Sequence, residues 1–309
     1  MRLRVLDPGL HSLIVDAGRP RSRSLGVPLG GAADLRSLAL GNALVGNPPE
    51  YAALEITLAG PTLQAEGDVA CAIYGAPFDI AIAPGITSPK RKRRHIAPGN
   101  TFTLRTGHTL RIGGTRSRLR AYLCVHGGII SSPILASRTA LRPLKAGDVA
   151  PCQASVTSSR WIEESNPANS GPVALRFLDG PQAEWFAPDD LTRRTFTVTP
   201  ESNRMGLRLS GPALPIQARE LVSEPVCPGS VQVTNDGQCI ILGVDGQTIG
   251  GYAKIAQVIS ADLDDVGQLR PGETVVFRRV TLAEAETAFQ TSEKWLREWV
   301  TRLRVTWQE

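Results

Sequence analysis

Short apolar runs, punctuated by glycine and proline, recur along nearly the whole chain. The first half holds "SLIVDAG", "ALEITLAG", "VACAIYG", "FDIAIAP", "TFTLR", "TLRIGG" and "RAYLCVHGG". The second half holds "VALRFL", "RTFTVT", "GLRLSG", "ELVSEP", "VQVTND", "CIILGV", "KIAQVIS" and "TVVFRRV". Runs of this length, bounded by turn residues, are strand signals, and 30 Gly and 23 Pro among 309 residues supply the turns. A mainly β fold of sandwich or barrel type follows. Helices are few. "DLRSLALGNALVGN" starts with Asp34 as N-cap and stops at Gly46, and "PQAEWF" is one short helix. A C-terminal helix opens on a Thr281–Glu284 capping box and carries Ala285, Phe289, Leu296, Trp299 and Leu303 at near-helical spacing. Its stripe packs on its own domain or offers its tryptophans to a partner.

A chain of this length exceeds one average core and suits two domains. The small, polar stretch "SNPANSG" at 165–171 reads as the linker. The two sides echo each other. "ITLAGPTL" matches "LRLSGPAL", and "IAPGNTFTL" matches "LRPGETVVF", as expected of two similar units related by duplication. The expected domains are 1–165, 172–280 and a helix over 281–304.

Composition narrows the class. The hydrophobic share of 42% and charged share of 20% are those of an ordinary globular chain. No run of about 18 apolar residues predicts a membrane span. The start, "MRLRVLDPGLHSLIVDAGR", lacks the apolar core and cleavage site of a signal peptide, so the expected compartment is the cytoplasm. Five scattered cysteines without a CxxC, and four histidines that do not cluster, predict buried thiols and no metal site. His126 reads as a strand-end packing residue rather than a general base. The net charge of +5 owes much to "KRKRR" at 90–94. Without interleaved aromatics this run reads as a solvated hairpin tip, and no nucleic-acid partner is expected.

No Ser–His–Asp signature, P-loop, dinucleotide fingerprint or HExxH is present. The chemistry-bearing residues instead sit among glycines: Asp16 and Arg19 in "DAGR", Asn42 and Asn47 around the first helix, Glu55 in an apolar strand, Ser137 and Arg138 in "SR", and Arg204 in "NRMG". The densest stretch is "DGQTIGGYAKI", with Asp245, Gln247, Thr248, Gly250, Gly251, Tyr252 and Lys254. Paired glycines let a ligand approach the backbone. Gln247 and Thr248 offer hydrogen bonds to an amide or carboxylate, and Lys254 offers a point charge. Each residue also has a structural reading. Asp16 and Arg19 can bridge a turn, an arginine can neutralise Glu55, and Asn42 and Asn47 can mark a helix face and its stop.

"VDAGR", "GVPLGGAAD", "GNALVGN", "LEITLAGP", "RAYLCVHGGI", "SNRMG" and "DGQTIGGYAKI", in that order, resemble the biotin-dependent carboxyltransferase family that includes the C subunit of 5-oxoprolinase (KipA-like, allophanate hydrolase subunit 2). The resemblance runs from about Val5 to Val280. It implies two cyclophilin-like β-barrel units with few short helices and a C-terminal helix. It also implies partners: a KipI-like B subunit, joined in 5-oxoprolinases by an A subunit. The implied complex opens 5-oxoproline to L-glutamate, with ATP used at the level of the complex. On that reading Asp16, Arg204, Tyr252 and Lys254 are the catalytic candidates. Arg19, Asn42, Glu55, Arg138, Asp245, Gln247, Thr248, Gly250 and Gly251 are the substrate-binding ones. Two further readings are a biotin-dependent carboxyltransferase acting on urea or a related small amide, and a non-catalytic protein that sequesters a KipI-like partner. No Met-Lys-Met-like biotinylation motif occurs, so biotin is expected only from another chain. The sequence departs from the family pattern at Val15, Gly30, Asn203 and Ile249, and a glycine-rich segment usual after Arg138 is missing.

Overall fold

The computed structural model describes residues 1–85, 93–162, 171–215 and 221–307. The expected linker and most of the basic run lie outside them. The chain is mainly β and divides into two compact units. One holds Met1–Gly18, Asp34–Pro167 and Leu296–Glu309, and the other holds Arg19–Ala33 and Ala168–Trp295. A short strap from the first half of the sequence therefore belongs to the second unit.

The first unit contains β1 (Arg2–Asp7), β2 (His11–Val15), β3 (Ala53–Thr57), β4 (Thr62–Ala65), β5 (Val69–Gly75), β6 (Phe78–Ala83), β7 (Arg94–Ile96), β8 (Thr101–Leu104), β9 (Thr109–Thr115), β10 (Arg120–Val125) and β11 (Val149–Pro151). They form a six-stranded sheet, β11-β1-β4-β9-β6-β7, and a five-stranded sheet, β2-β3-β10-β5-β8. Inward residues of both sheets, among them Leu3, Ile56, Leu63, Ile73, Ile80, Leu104 and Leu110, make one core. Central strands are buried on both faces: every residue of β10 is buried, because α1 (Leu35–Leu44) covers its other side. Asp34 caps α1 as expected, accepting the Ser37 N–H at 2.8 Å.

The second unit contains β12 (Val173–Asp179), β13 (Thr195–Val198), β14 (Gly206–Ser210), β15 (Glu224–Pro225), β16 (Ser230–Val233), β17 (Cys239–Leu242), β18 (Ile249–Gly250), β19 (Ala253–Val258) and β20 (Thr274–Arg279). Seven of them close into a barrel, β12-β19-β16-β17-β14-β13-β20. β12 and β20 pair in parallel, and every other neighbouring pair in the barrel is antiparallel. Its interior is filled by side chains. Phe277 meets Phe177 and Phe196 edge-on, with ring centroids 6.1 and 5.7 Å apart, the favoured aromatic geometry. β15 and β18 make a separate two-stranded ribbon.

The echoed P-G-x-T turns have the same local form in both halves. Asn100 N–H bonds Ala97 O and Glu273 N–H bonds Arg270 O, while Gly99 (φ 78°) and Gly272 (φ 90°) are left-handed. Proline then glycine at the two central positions is the type II arrangement, and each turn delivers the chain into a strand, β8 or β20. α3 (Leu282–Val305) begins with the expected capping box: Thr281 N–H donates to Glu284 Oε2 at 2.8 Å and Glu284 N–H to Thr281 Oγ1 at 3.3 Å. Ala285 and Leu303 are buried, but Phe289 is 47% exposed, so the predicted stripe is only partly covered. "PQAEWF" forms a single 3-10 turn at Ala183–Trp185. No helix among the described residues is long and apolar enough to cross a membrane.

Candidate functional site

The sequence-predicted residues fall into separate clusters. Asp16, at the end of β2 in the first unit, is a knot. Its carboxylate accepts from Gly18 N (2.8 Å), Ser137 Oγ (2.6 Å), Arg138 N (2.5 Å) and Thr139 Oγ1 (2.8 Å). This fastens the tight turn Ile134–Ser137, whose central residues Leu135 and Ala136 take left-handed φ values of 51° and 61°. Such values are uncommon outside glycine and asparagine, so the anchoring bonds hold a strained turn in place. The side chain of Arg138 turns back on Ser131 O rather than toward Asp16.

Asn42 is fully buried in α1. Its amide donates to Pro49 O and Tyr51 O, and its oxygen accepts from Asn47 Nδ2 at 2.9 Å. Asn47 continues to Val125 O and Gly127 N, and His126 Nδ1 donates to Val45 O. These residues join the end of α1 to the end of β10, the structural reading of both asparagines and of His126. Glu55 is also fully buried, with the Tyr122 hydroxyl at 2.8 Å and Arg120 Nε at 3.4 Å. Burial, then the neighbouring Glu55 and Asp34 carboxylates, push the Tyr122 phenol well above its ordinary value. It stays a neutral donor.

The remaining candidates lie in the second unit. Arg204 makes a two-pronged ion pair with Asp245, Nε–Oδ2 at 2.7 Å and Nη2–Oδ1 at 3.0 Å, and also donates to Gly31 O at 2.7 Å. It therefore pins the strap Arg19–Ala33 to the turn after β17. Gly30 N–H adds a bond to Val244 O. Arg19 is buried in the strap, and its N–H bonds Leu29 O. Arg23, also in the strap, reaches Val226 O and Gln247 O. Asn203, where the family usually has Asp, still caps its turn by accepting Met205 N–H at 2.8 Å.

The densest polar cluster surrounds Lys254. Its strand pairs with β16 through a bulge, so that Val231 opposes Ala256 but Gln232 opposes Lys254. Gln182 clamps the bulged strand from the other side: its N–H bonds Lys254 O, and its Oε1 accepts Lys254 N–H at 3.0 Å. The buried ammonium pairs with Glu224 at 2.8 Å, and Gln182 Nε2 reaches the same carboxylate oxygen at 3.2 Å. The hydrogen bond from Lys254, then that from Gln182, holds the Glu224 carboxyl below the usual range. Gln232 is 1% exposed, accepts from Gln247 Nε2 at 3.4 Å, and has an Nε2 with no partner among the described residues. An unpaired buried donor of this kind costs about 1–3 kcal/mol. It lies beside Gly250, where an added Cβ would sit 2.6 Å from that nitrogen.

Gln247, Gly250 and Lys254 are thus brought together. Gly251 and Tyr252 (39% exposed) form the adjoining surface, and Thr248 O holds Val226 N–H. Gln182, Glu224 and Gln232 complete the cluster but belong to no motif. The one available signal was a glutamine inside the apolar run "SVQV". Among the described residues no group of histidine, cysteine and carboxylate side chains is arranged to hold a metal. Cys71, Cys124, Cys152 and Cys239 are buried free thiols as expected, while Cys227 is exposed.

The family model for the carboxyltransferase domain, subdomain A and B, matches residues 25–279. The 5-oxoprolinase C subunit of Escherichia coli K12 is 32% identical, over 97% of this chain and 98% of that protein. The corresponding protein of Haemophilus influenzae is 33% identical, over 94% and 96%. Among solved structures, the Kluyveromyces lactis urea amidolyase superposes with a TM-score of 0.84 at 26% identity, covering 96% of this chain and 20% of that one.

Proposed function

Because the chain belongs to the carboxyltransferase domain family, subdomains A and B, we propose that it is the amide-recognising subunit of an ATP-dependent 5-oxoprolinase. The complex would include an A subunit together with a KipI-like B subunit. It would open 5-oxoproline to L-glutamate. One observation carries the reading: a buried ammonium, Lys254, and a buried amide donor without a partner among the described residues, Gln232, lie in one cluster beside a position without a side chain, Gly250. 5-Oxoproline presents a carboxylate and a lactam carbonyl. The carboxylate would exchange with Glu224 for Lys254, and the carbonyl would take the Gln232 donor. Donors aimed at a carbonyl oxygen favour the charge that develops there when the ring is attacked. Gln182 fixes Lys254 in this role from the backbone side. Two catalytic candidates have other tasks in this reading. Arg204, paired with Asp245, holds the strap in place, and Asp16 anchors its own turn. ATP, and any biotin, would be handled by other chains.

The test is reconstitution. Purified with its cognate partners, the chain should support ATP-dependent glutamate release, and Lys254→Ala should abolish it without dissolving the complex. Full turnover by that variant overturns the assignment. A second reading, carboxyl transfer to urea, draws on the match to urea amidolyase. Urea has no carboxylate to engage Lys254, so urea turnover with carboxybiotin supplied in trans, and none with 5-oxoproline, would select it.

A further inference from the structure

The first unit holds a second basic feature that the reading above does not use. β7 is the edge strand of the six-stranded sheet and β8 the edge strand of the five-stranded sheet. A cavity of about 450 Å³ opens between these edges. Ile82 and Phe102, both members of the unit's core, form its apolar floor. Arg94, Arg105 and His108 line it together with Thr103. Arg94 is the last residue of the basic run 90–94 and makes no ion pair among the described residues. Arg105 is held through Nη1 by Asp68 at 2.6 Å, which fixes its guanidinium, and Asp68 in turn accepts Thr106 N–H. Thr103 is fixed by Thr157 N–H at 3.0 Å, where the Thr157 stretch runs along the outer edge of β8. No carboxylate lines the cavity among the described residues.

We propose that this cavity binds a small organic phosphate. Guanidinium groups match phosphate oxygens through paired N–H donors, and two of them, one on β7 and one just past the end of β8, favour a doubly charged, compact anion over a monocarboxylate. The volume lies in the small-molecule range and exceeds what an inorganic ion fills, and the floor of Ile82 and Phe102 suits an apolar ester group. Isothermal titration of the full chain with phenyl phosphate tests this, with inorganic phosphate and benzoate as comparisons. Phenyl phosphate should saturate one site, with each comparison ligand at least about tenfold weaker. Arg94→Ala should weaken it by a similar factor while leaving the melting temperature unchanged, and Arg94→Lys should fall between. Three outcomes overturn the proposal: no saturable binding, equal binding of benzoate, or unaltered binding by Arg94→Ala. None of these readouts depends on amide turnover.

Discussion

At the scale of single residues, the two neighbouring glycines of the Lys254 cluster make different demands. A Cβ at Gly250 would meet Gln232 Nε2 at 2.6 Å and Val226 Cγ1 at 3.4 Å, whereas one at Gly251 meets nothing closer than Ser223 Oγ at 3.5 Å. Gly250→Ala should therefore displace the Gln232 amide and lower kcat/KM in the assembled complex by about tenfold or more. Gly251→Ala should stay within about twofold, a difference of under about 0.5 kcal/mol in transition-state binding. Equal effects of the two would show that the packing of Gln232 on Gly250 is irrelevant to recognition. The Lys254–Glu224 pair makes a prediction about acid. The folded-state value of Glu224 lies below its ordinary 4.5, so the stabilisation from the pair is present above that value and is lost as pH falls through the folded value. The melting-temperature difference between the parent chain and Lys254→Met should shrink as pH is taken below about 4.5. A difference that holds constant into strong acid would contradict the ion pair. At Asp16, replacement by Ala removes the acceptor of four donors and should cost about 3 kcal/mol in a denaturant melt.

At the scale of elements, the strands were the legible part. Apolar runs bounded by turn residues mark β5, β10 and β12 in "VACAIYG", "RAYLCVHGG" and "VALRFL", because burial acts locally on each run. "ELVSEP" was not legible: among its described residues, 221–225, only Glu224–Pro225 is a strand, set by pairing with Ile249–Gly250 across a gap in sequence. The site shows the same division. Gln247, Gly250 and Lys254 stood out in one stretch, but Gln182, Glu224 and Gln232 reach Lys254 only through barrel closure and the β16–β19 bulge. No local spacing encodes such contacts. The end of the chain makes a further prediction. Trp307 stacks on His126 with centroids 5.2 Å apart, and the Arg160 guanidinium lies 5.4 Å from its ring while also reaching Thr306 Oγ1. Trp307→Ala should lower stability by about 1–3 kcal/mol, read by thermal unfolding, since it removes both contacts at once.

At the scale of the whole molecule, the strap Arg19–Ala33 is the informative feature, because the second unit is not contiguous in sequence. Without the strap, Val244 O loses the Gly30 N–H and Arg204 Nη2 loses Gly31 O. A fragment beginning at residue 171 should be unstable alone and should gain melting temperature with added peptide 19–33, in proportion to the logarithm of peptide concentration. A fragment equally stable with and without the peptide would make the strap dispensable. The same discontinuity sets a clock on synthesis. At about 5–20 residues per second, the strap leaves the ribosome on the order of ten seconds or more before β19 and β20 exist. The core of the first unit is supplied by residues 3–152, so it can pack while the barrel strands are still being made, and only the Leu296–Glu309 segment joins it late. A ribosome stalled before β20 would hold one core with all its strands and one barrel still open, with the strap Arg19–Ala33 waiting for the strands it fastens.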